Sequence, residues 1–173
     1  MLLGVIHLRV LDKKNLKTIN IIIYIEFYIY YSMSQIKEND KQITEPIAKL
    51  IEGKNFAFIS TLMKDGSPQA TPTWIDIENR KTLLINTAEG RQKQKNISRD
   101  PRVAISIIEH NNPYHMVTIR GRVVEQTNAG ADEHIDKLAK KYLGLEKYPM
   151  RSSEEKRIIL KIKPEKIFYQ PPR

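Results

Sequence analysis

The chain has 173 residues, 40% hydrophobic and 28% charged, which fits one domain with a core of its own. It contains no cysteine, which excludes disulfides, thiolate metal centres and cysteine nucleophiles and is compatible with a reducing, cytoplasmic setting. With 29 Lys and Arg against 20 Asp and Glu, the formal charge is +9, a surplus that favours anionic partners such as a phosphorylated cofactor, nucleic acid or an anionic membrane surface.

Residues 1–32 read apart from the rest. Lys13, Lys14 and Lys17 precede an apolar run from Ile19 to Tyr31 that Asn20 and Glu26 interrupt. The run is short for a bilayer, and a carboxylate at its middle is costly there, so no membrane span is expected. Basic then apolar is the order of a signal peptide, but Tyr30 and Tyr31 stand where small residues are needed. The expectation is an extension outside the fold, with Met33 as the initiator, residues 33–42 as a flexible lead-in and residues 43–173 as the folded domain.

Apolar residues at helical spacing over Glu45–Ile51, with Thr44 as N-cap and Pro46 in the first turn, predict a helix that Gly53 ends. Phe56–Met63 reads as a strand apolar on both faces and therefore buried. Lys64–Ser67 is a hairpin turn in which Asp65-Gly66 supplies positive φ angles. The return strand, Gln69–Asp76, contains Pro72, which removes a ladder hydrogen bond and marks an edge or a bulge where a flat ligand can approach. Trp74 on that strand is more often a core residue than a ring partner. Residues 78–80 then turn the chain into Thr82–Ile85, a further strand.

The stretch from Asn86 to Val103 organises the remainder. A short helix is expected between two strands, with Thr87 as its N-cap and Pro101 closing it by disfavouring helical geometry at Asp100. Arg91, Lys93 and Lys95 fall in the first turns, with Asn96 one turn beyond Lys93. Free N–H groups, the positive end of the helix dipole and flexible cations make a phosphate cradle. Such charges on a surface helix are more often just a solvated face, and what favours the cradle is that they sit where the dipole alone would not place them. Beyond it, Val103–Ile108 and Tyr114–Gln126 are strands, Ala129–Tyr142 is a helix closed by Gly144, and Arg157–Lys163 is a final strand that Lys166–Tyr169 extends past Pro164. Five or six strands, joined too closely for parallel crossovers, with three helices between them, predict a small antiparallel barrel.

Gly90-Arg91-x-Lys93-x-x-Asn96-Ile97 and Arg99-Asp100-Pro101-Arg102-Val103, preceded by Asp65–Gln69 and followed by Val117–Val123, resemble the pyridoxamine 5'-phosphate oxidase-like split β-barrel family. Within it the pattern is most similar to the F420-dependent oxidoreductase branch, from about Ile43 to the C-terminus. The resemblance implies a mostly β fold with inserted helices, the FMN-binding split barrel, in a homodimer that holds flavin or deazaflavin at the subunit interface. It implies an oxidoreductase that passes hydride between bound F420, or FMN, and a small planar or unsaturated substrate. Carried over onto this chain, Thr87, Arg91, Lys93 and Asn96 would clamp the cofactor phosphate, while Gln69, Thr71 and Thr73 would face its ring. Lys95, Arg99 and Arg102 would serve the carboxylates of an F420 tail or merely be solvated. The chain lacks the C-terminal tryptophan segment and Arg-x-His element of the oxidases proper, which disfavours vitamin B6 oxidation, and Arg120-Gly121-Arg122 matches the family only loosely.

Side-chain catalysis without a cofactor finds little support. His7, His110, His115 and His134 show no metal-ligand spacing, and His110 and His115 flank a loop where solvated histidines are the rule. A cofactor protein needs only to bind, orient and tune its group. The alternative is a non-catalytic carrier of flavin, F420 or haem on the same barrel. Nucleic-acid binding ranks last, since aromatic and basic residues do not interleave outside residues 1–32.

Overall fold

The computed structural model describes residues 38–39 and 42–172, and the expectations for residues 1–32 lie outside them. Among the described residues, eight strands and three helices follow in the order β1 (Glu38–Asn39), α1 (Glu45–Glu52), β2 (Ala57–Leu62), β3 (Pro68–Thr73), β4 (Asp76–Glu78), β5 (Thr82–Ala88), α2 (Gln92–Arg99), β6 (Arg102–Glu109), β7 (Asn112–Thr127), α3 (Ala131–Leu143) and β8 (Arg157–Gln170). Every strand pair is antiparallel, as the short connections require. Within residues 33–42, expected to be a lead-in, Glu38 and Asn39 pair with Phe168 and Ile167.

The strands run β3-β2-β6-β7-β8-β5-β4, with β1 beside the far half of β8. β3 and β4 stand at opposite ends of that order, yet only Trp74 and Ile75 join them. Two linking residues span about 11 Å at most, so the sheet must curl until its ends meet there. No ladder joins β3 to β4 among the described residues, so the barrel is split along that seam. Pro72 lies on β3, an end strand, as its missing N–H demands.

Ile59, Ile85, Ile105, Ile107, Ile119, Leu160 and Ile162 fill the barrel, none more than 2% exposed. α1 plugs it with Ile47, Leu50 and Ile51, each worth about 1.5–3 kcal/mol when fully buried. Two long strands, β7 and β8, hold the rest together. Gly121 sits at a register shift between them, where a Cβ would lie 2.5 Å from the Lys163 carbonyl oxygen, so the Arg-Gly-Arg element is there to let two backbones touch.

Four local expectations change or are refined. β2 alternates rather than being buried on both faces: Ala57, Ile59 and Thr61 point inward, while Phe58 is 45% exposed. In the hairpin only Gly66 takes a positive φ; Asp65 instead accepts hydrogen bonds from the Ser67 N–H and hydroxyl. Thr44 is the N-cap of α1 without a side-chain cap bond. Thr87 caps nothing: β5 runs on to Ala88, Thr87 pairs with Ile158, and α2 starts only at Gln92 with Arg91 as N-cap. Threonine suits a strand as well as a cap, and the ladder to β8 prevails.

Candidate functional site

Ala88, the last residue of β5, pairs with Arg157, the first of β8, and the Glu89 N–H donates to the Lys156 carbonyl at 2.9 Å. That register brings residues 155–157 beside the turn Glu89-Gly90-Arg91. Gly90, with φ near +79°, swings the chain into α2, and its N–H is taken by Gln94 Oε1 at 3.1 Å. Inside the helix the Arg91 carbonyl accepts from the Lys95 N–H at 3.0 Å, so the N–H groups of Gln92, Lys93 and Gln94 come before the helical ladder.

Three cations meet at this end of α2. Arg91 donates to Glu155 Oε1, and Arg157 Nη1 lies 3.1 Å from Glu155 Oε2. Arg157 is buried and fixed: its Nε donates to Asn86 Oδ1 at 2.9 Å, and its guanidinium lies over the Tyr148 ring at 5.3 Å. Lys93 is half-buried and pairs with no carboxylate among the described residues. Burial, then repulsion from Arg91 and Arg157, pushes its ammonium below the ordinary lysine value. Three cations with one carboxylate among them, held by Arg91 and Arg157, leave two positive charges uncompensated, a donor set that suits the anionic oxygens of a phosphate ester.

Asn96 is fully buried, one turn along α2 on the barrel side. Its amide donates to Thr61 Oγ1 at 3.0 Å and lies 3.4 Å from Met63 Sδ, while its carbonyl accepts from Gln92 at 2.8 Å. The Thr61 hydroxyl continues to Gln69 Oε1 at 3.2 Å, and Gln69 Nε2 to Thr71 Oγ1 at 2.9 Å. Asn96 therefore ties the helix to β2 and β3 rather than lining the cradle. Gln69, Thr71 and Thr73 share the half-buried face of β3, with Thr73 Oγ1 3.2 Å from the Trp74 carbonyl oxygen. Thr87 Oγ1 is fully buried without a hydrogen-bond partner, behind the cradle. Of the further cations, Arg102 is gripped by both oxygens of Asp100, and Arg99 donates to the Leu62 carbonyl. Lys95 remains exposed.

A second network stands behind Arg157. Asn86 Nδ2 donates to the Ala131 carbonyl at 2.7 Å and to His134 Nδ1 at 3.3 Å. His134 then carries its proton on Nε2, 3.6 Å from Asp76 Oδ2, and Lys137 completes the carboxylate's contacts. Trp74 stacks on Tyr142 with centroids 5.2 Å apart and meets Tyr148 edge-on at 5.9 Å, so it closes the seam between β3 and β4.

His115 is not a solvated loop histidine. It lies on β7, its Nδ1 3.0 Å from Glu109 and its Nε2 3.0 Å from the Tyr169 hydroxyl, and both nitrogens are thereby used. This triad clamps the ends of β6, β7 and β8. Among the described residues no group of three or more His, Asp or Glu could hold a metal ion. Sequence reasoning missed Arg157, Glu155 and Thr61. Only Thr61 left a local signal, as an inward position in the alternation of β2.

The family model for pyridoxamine 5'-phosphate oxidase matches residues 43–171. A solved structure named F420 reductase is 26% identical, with a TM-score of 0.62, covering 69% of this chain and 93% of that one. HupZ of Group A Streptococcus is 22% identical, with a TM-score of 0.56 over 76% of this chain and 98% of its own. General stress protein 26 of Bacillus anthracis is 18% identical, with a TM-score of 0.56 over 75% and 94% of the two chains, and like HupZ it speaks for the fold alone. Since the match takes in every element from α1 to β8, the chain belongs to the pyridoxamine 5'-phosphate oxidase family and its sheet is that family's split β-barrel.

Proposed function

We propose that the protein is an oxidoreductase that binds coenzyme F420, with FMN as the alternative, and acts as a homodimer on a small planar or unsaturated organic substrate. The observation that carries this reading is the convergence of Arg91, Lys93 and Arg157 on the N-terminal end of α2 with a single carboxylate between them. The likeness to an F420 reductase supports the choice of cofactor.

The bound cofactor supplies the hydride chemistry, and the chain's residues hold it in place. Arg91, Lys93 and the first N–H groups of α2 take the phosphate by charge-assisted hydrogen bonds. Asn96 and Thr87 support the cradle from behind, and Gln69, Thr71 and Thr73 offer β3 to the ring. Because Arg99 and Arg102 are committed to the protein, Lys95 is left to meet an F420 tail.

The test is a fluorescence-quenching titration of the full chain with F420 and, separately, FMN, repeated with Arg91→Ala and Lys93→Ala. Micromolar binding of F420, weakened about 10- to 100-fold by each substitution, is expected from lost bonds to a charged group. Failure of both cofactors to bind at micromolar concentration refutes the reading.

A further inference from the structure

The Thr71 hydroxyl on β3 has its direction set from α2, four hydrogen bonds away. We infer that Thr71 offers the cofactor ring a donor of fixed polarity, so that the ring edge lying against it is a carbonyl of the pyrimidine portion. Arg99 and Met63 set that polarity through the positioning residues Asn96, Thr61 and Gln69. The inference rests on the cofactor reading above.

Two groups with no choice of role hold the Asn96 amide. A guanidinium only donates, and Arg99 Nη2 lies 3.4 Å from Asn96 Oδ1. A thioether only accepts, and Met63 Sδ lies 3.4 Å from Asn96 Nδ2. Asn96 is fully buried, so its oxygen stays towards Arg99 and its amino group towards Met63 and Thr61. The Thr61 oxygen thereby accepts a proton, and its own must go elsewhere. Thr61 is 1% exposed, and an unmet hydroxyl proton there costs about 1–3 kcal/mol. Gln69 Oε1, at 3.2 Å, takes it. That turns Gln69 Nε2 to Thr71 Oγ1 at 2.9 Å, and the Thr71 proton is then taken by none of the described residues.

Thr71 stands on the half-buried face of β3, an end strand, where a flat ring has access. The pyrimidine portion that FMN and F420 share presents carbonyl oxygens and a ring N–H. Against Thr71 the N–H would set donor on donor, whereas a carbonyl oxygen accepts. Reduction of the ring by two electrons places more negative charge on those oxygens, and a hydrogen bond to a charged acceptor is about twice as strong as one to a neutral acceptor. Thr71 therefore holds the reduced ring more tightly than the oxidised ring and raises the midpoint potential of the bound cofactor.

The experiment uses the full chain and its Thr71→Val, Thr71→Ser, Thr61→Val and doubly substituted (Thr61→Val with Thr71→Val) variants, with thermal melts to confirm folding. FMN and F420 are titrated into each in both redox states, and the midpoint potential of the bound form is measured against a reference dye. Thr71→Val should weaken binding of the reduced form about tenfold more than that of the oxidised form, a fall of about 30 mV in the midpoint potential. Thr71→Ser, which keeps the hydroxyl, should retain the parent's potential. Thr61→Val should lower the potential too, because Gln69 can then turn and take the Thr71 proton. The double variant should fall no further than Thr71→Val alone. A potential unchanged in Thr71→Val, or lowered as much by Thr71→Ser, overturns the inference and leaves the cofactor reading standing. Additive losses from Thr61→Val and Thr71→Val overturn the relay of polarity; if Thr61→Val does not fold, the two Thr71 variants decide alone. Absence of binding by the parent overturns the cofactor reading, and this inference with it.

Discussion

Asn96 on α2 donates its side-chain amide to Thr61 Oγ1 on β2 across 3.0 Å, and neither residue is more than 1% exposed. Through this bond the helix carrying Arg91 and Lys93 is fixed to the strand pair that carries Gln69 and Thr71.

Asn96→Ala should therefore act first on stability. It leaves the buried Thr61 hydroxyl without its donor, at a cost of about 1–3 kcal/mol, which urea denaturation measures as a lower midpoint at unchanged slope. Cofactor affinity should fall with it even though Asn96 lies behind the cradle. An unchanged midpoint would remove Asn96 as the tie.

Acid should weaken the fold through Asp76 and Asp136. Burial would raise the Asp76 carboxyl, but the neighbouring His134 ring, the Lys137 ammonium and the Ile77 N–H more than offset it and hold the group well below the ordinary aspartate value. The Tyr148 N–H, with Lys147 and Arg151, brings Asp136 down to about 2. Both are lower than the unfolded value of about 3.9, so their stabilisation is complete above it and lost as pH falls from there towards 2. Unfolding midpoints taken between pH 5.5 and 2.5 should drop steeply, and more shallowly in Asp76→Asn and Asp136→Asn.

Tyr142 joins α3 to the barrel seam: its hydroxyl donates to the Asn55 carbonyl at 2.8 Å and accepts from the Ile75 N–H at 3.3 Å. Tyr142→Phe should cost about 1–3 kcal/mol while leaving the stack on Trp74 in place. Tyr142→Ala removes the ring as well and should shift the emission of the chain's single tryptophan to the red. Equal emission from the two variants would contradict the stack.

The proposed dimer has a natural seat on the outer barrel face. Pro72, Phe58, Ser106, Thr118 and Phe168 stand in register across five strands, and Phe58 and Phe168 are 45% and 40% exposed. Beside them Phe56, Ile108 and Pro113 line a cleft of about 540 Å³. Analytical ultracentrifugation should report a dimer for the full chain and a monomer for Phe58→Lys, since a charge at such a face is not easily desolvated. A monomeric parent at tens of micromolar would refute this seat.

Features that depend on neighbours in the chain were legible in the sequence. Helical spacing gave α1 and α3 nearly to their ends, Pro101 closed α2, Pro72 put β3 at an edge, and the short connections required antiparallel pairing. Arg91 and Lys93 could be placed in the first turns of α2, although the helix begins four residues later than a Thr87 cap would put it. The rest depended on contacts made across the fold. Glu155 meets Arg91 from 64 positions away and Arg157 meets Asn86 from 71, through the pairing of β5 with β8. Thr87 fits a cap or a strand by its own chemistry, and the ladder to Ile158 made it strand. His115, read as a solvated loop residue, gained Tyr169 only when β7 and β8 came together. A residue's immediate neighbours set its backbone preference, but the partners of its side chain are set by strand register, which forms only as the whole barrel closes.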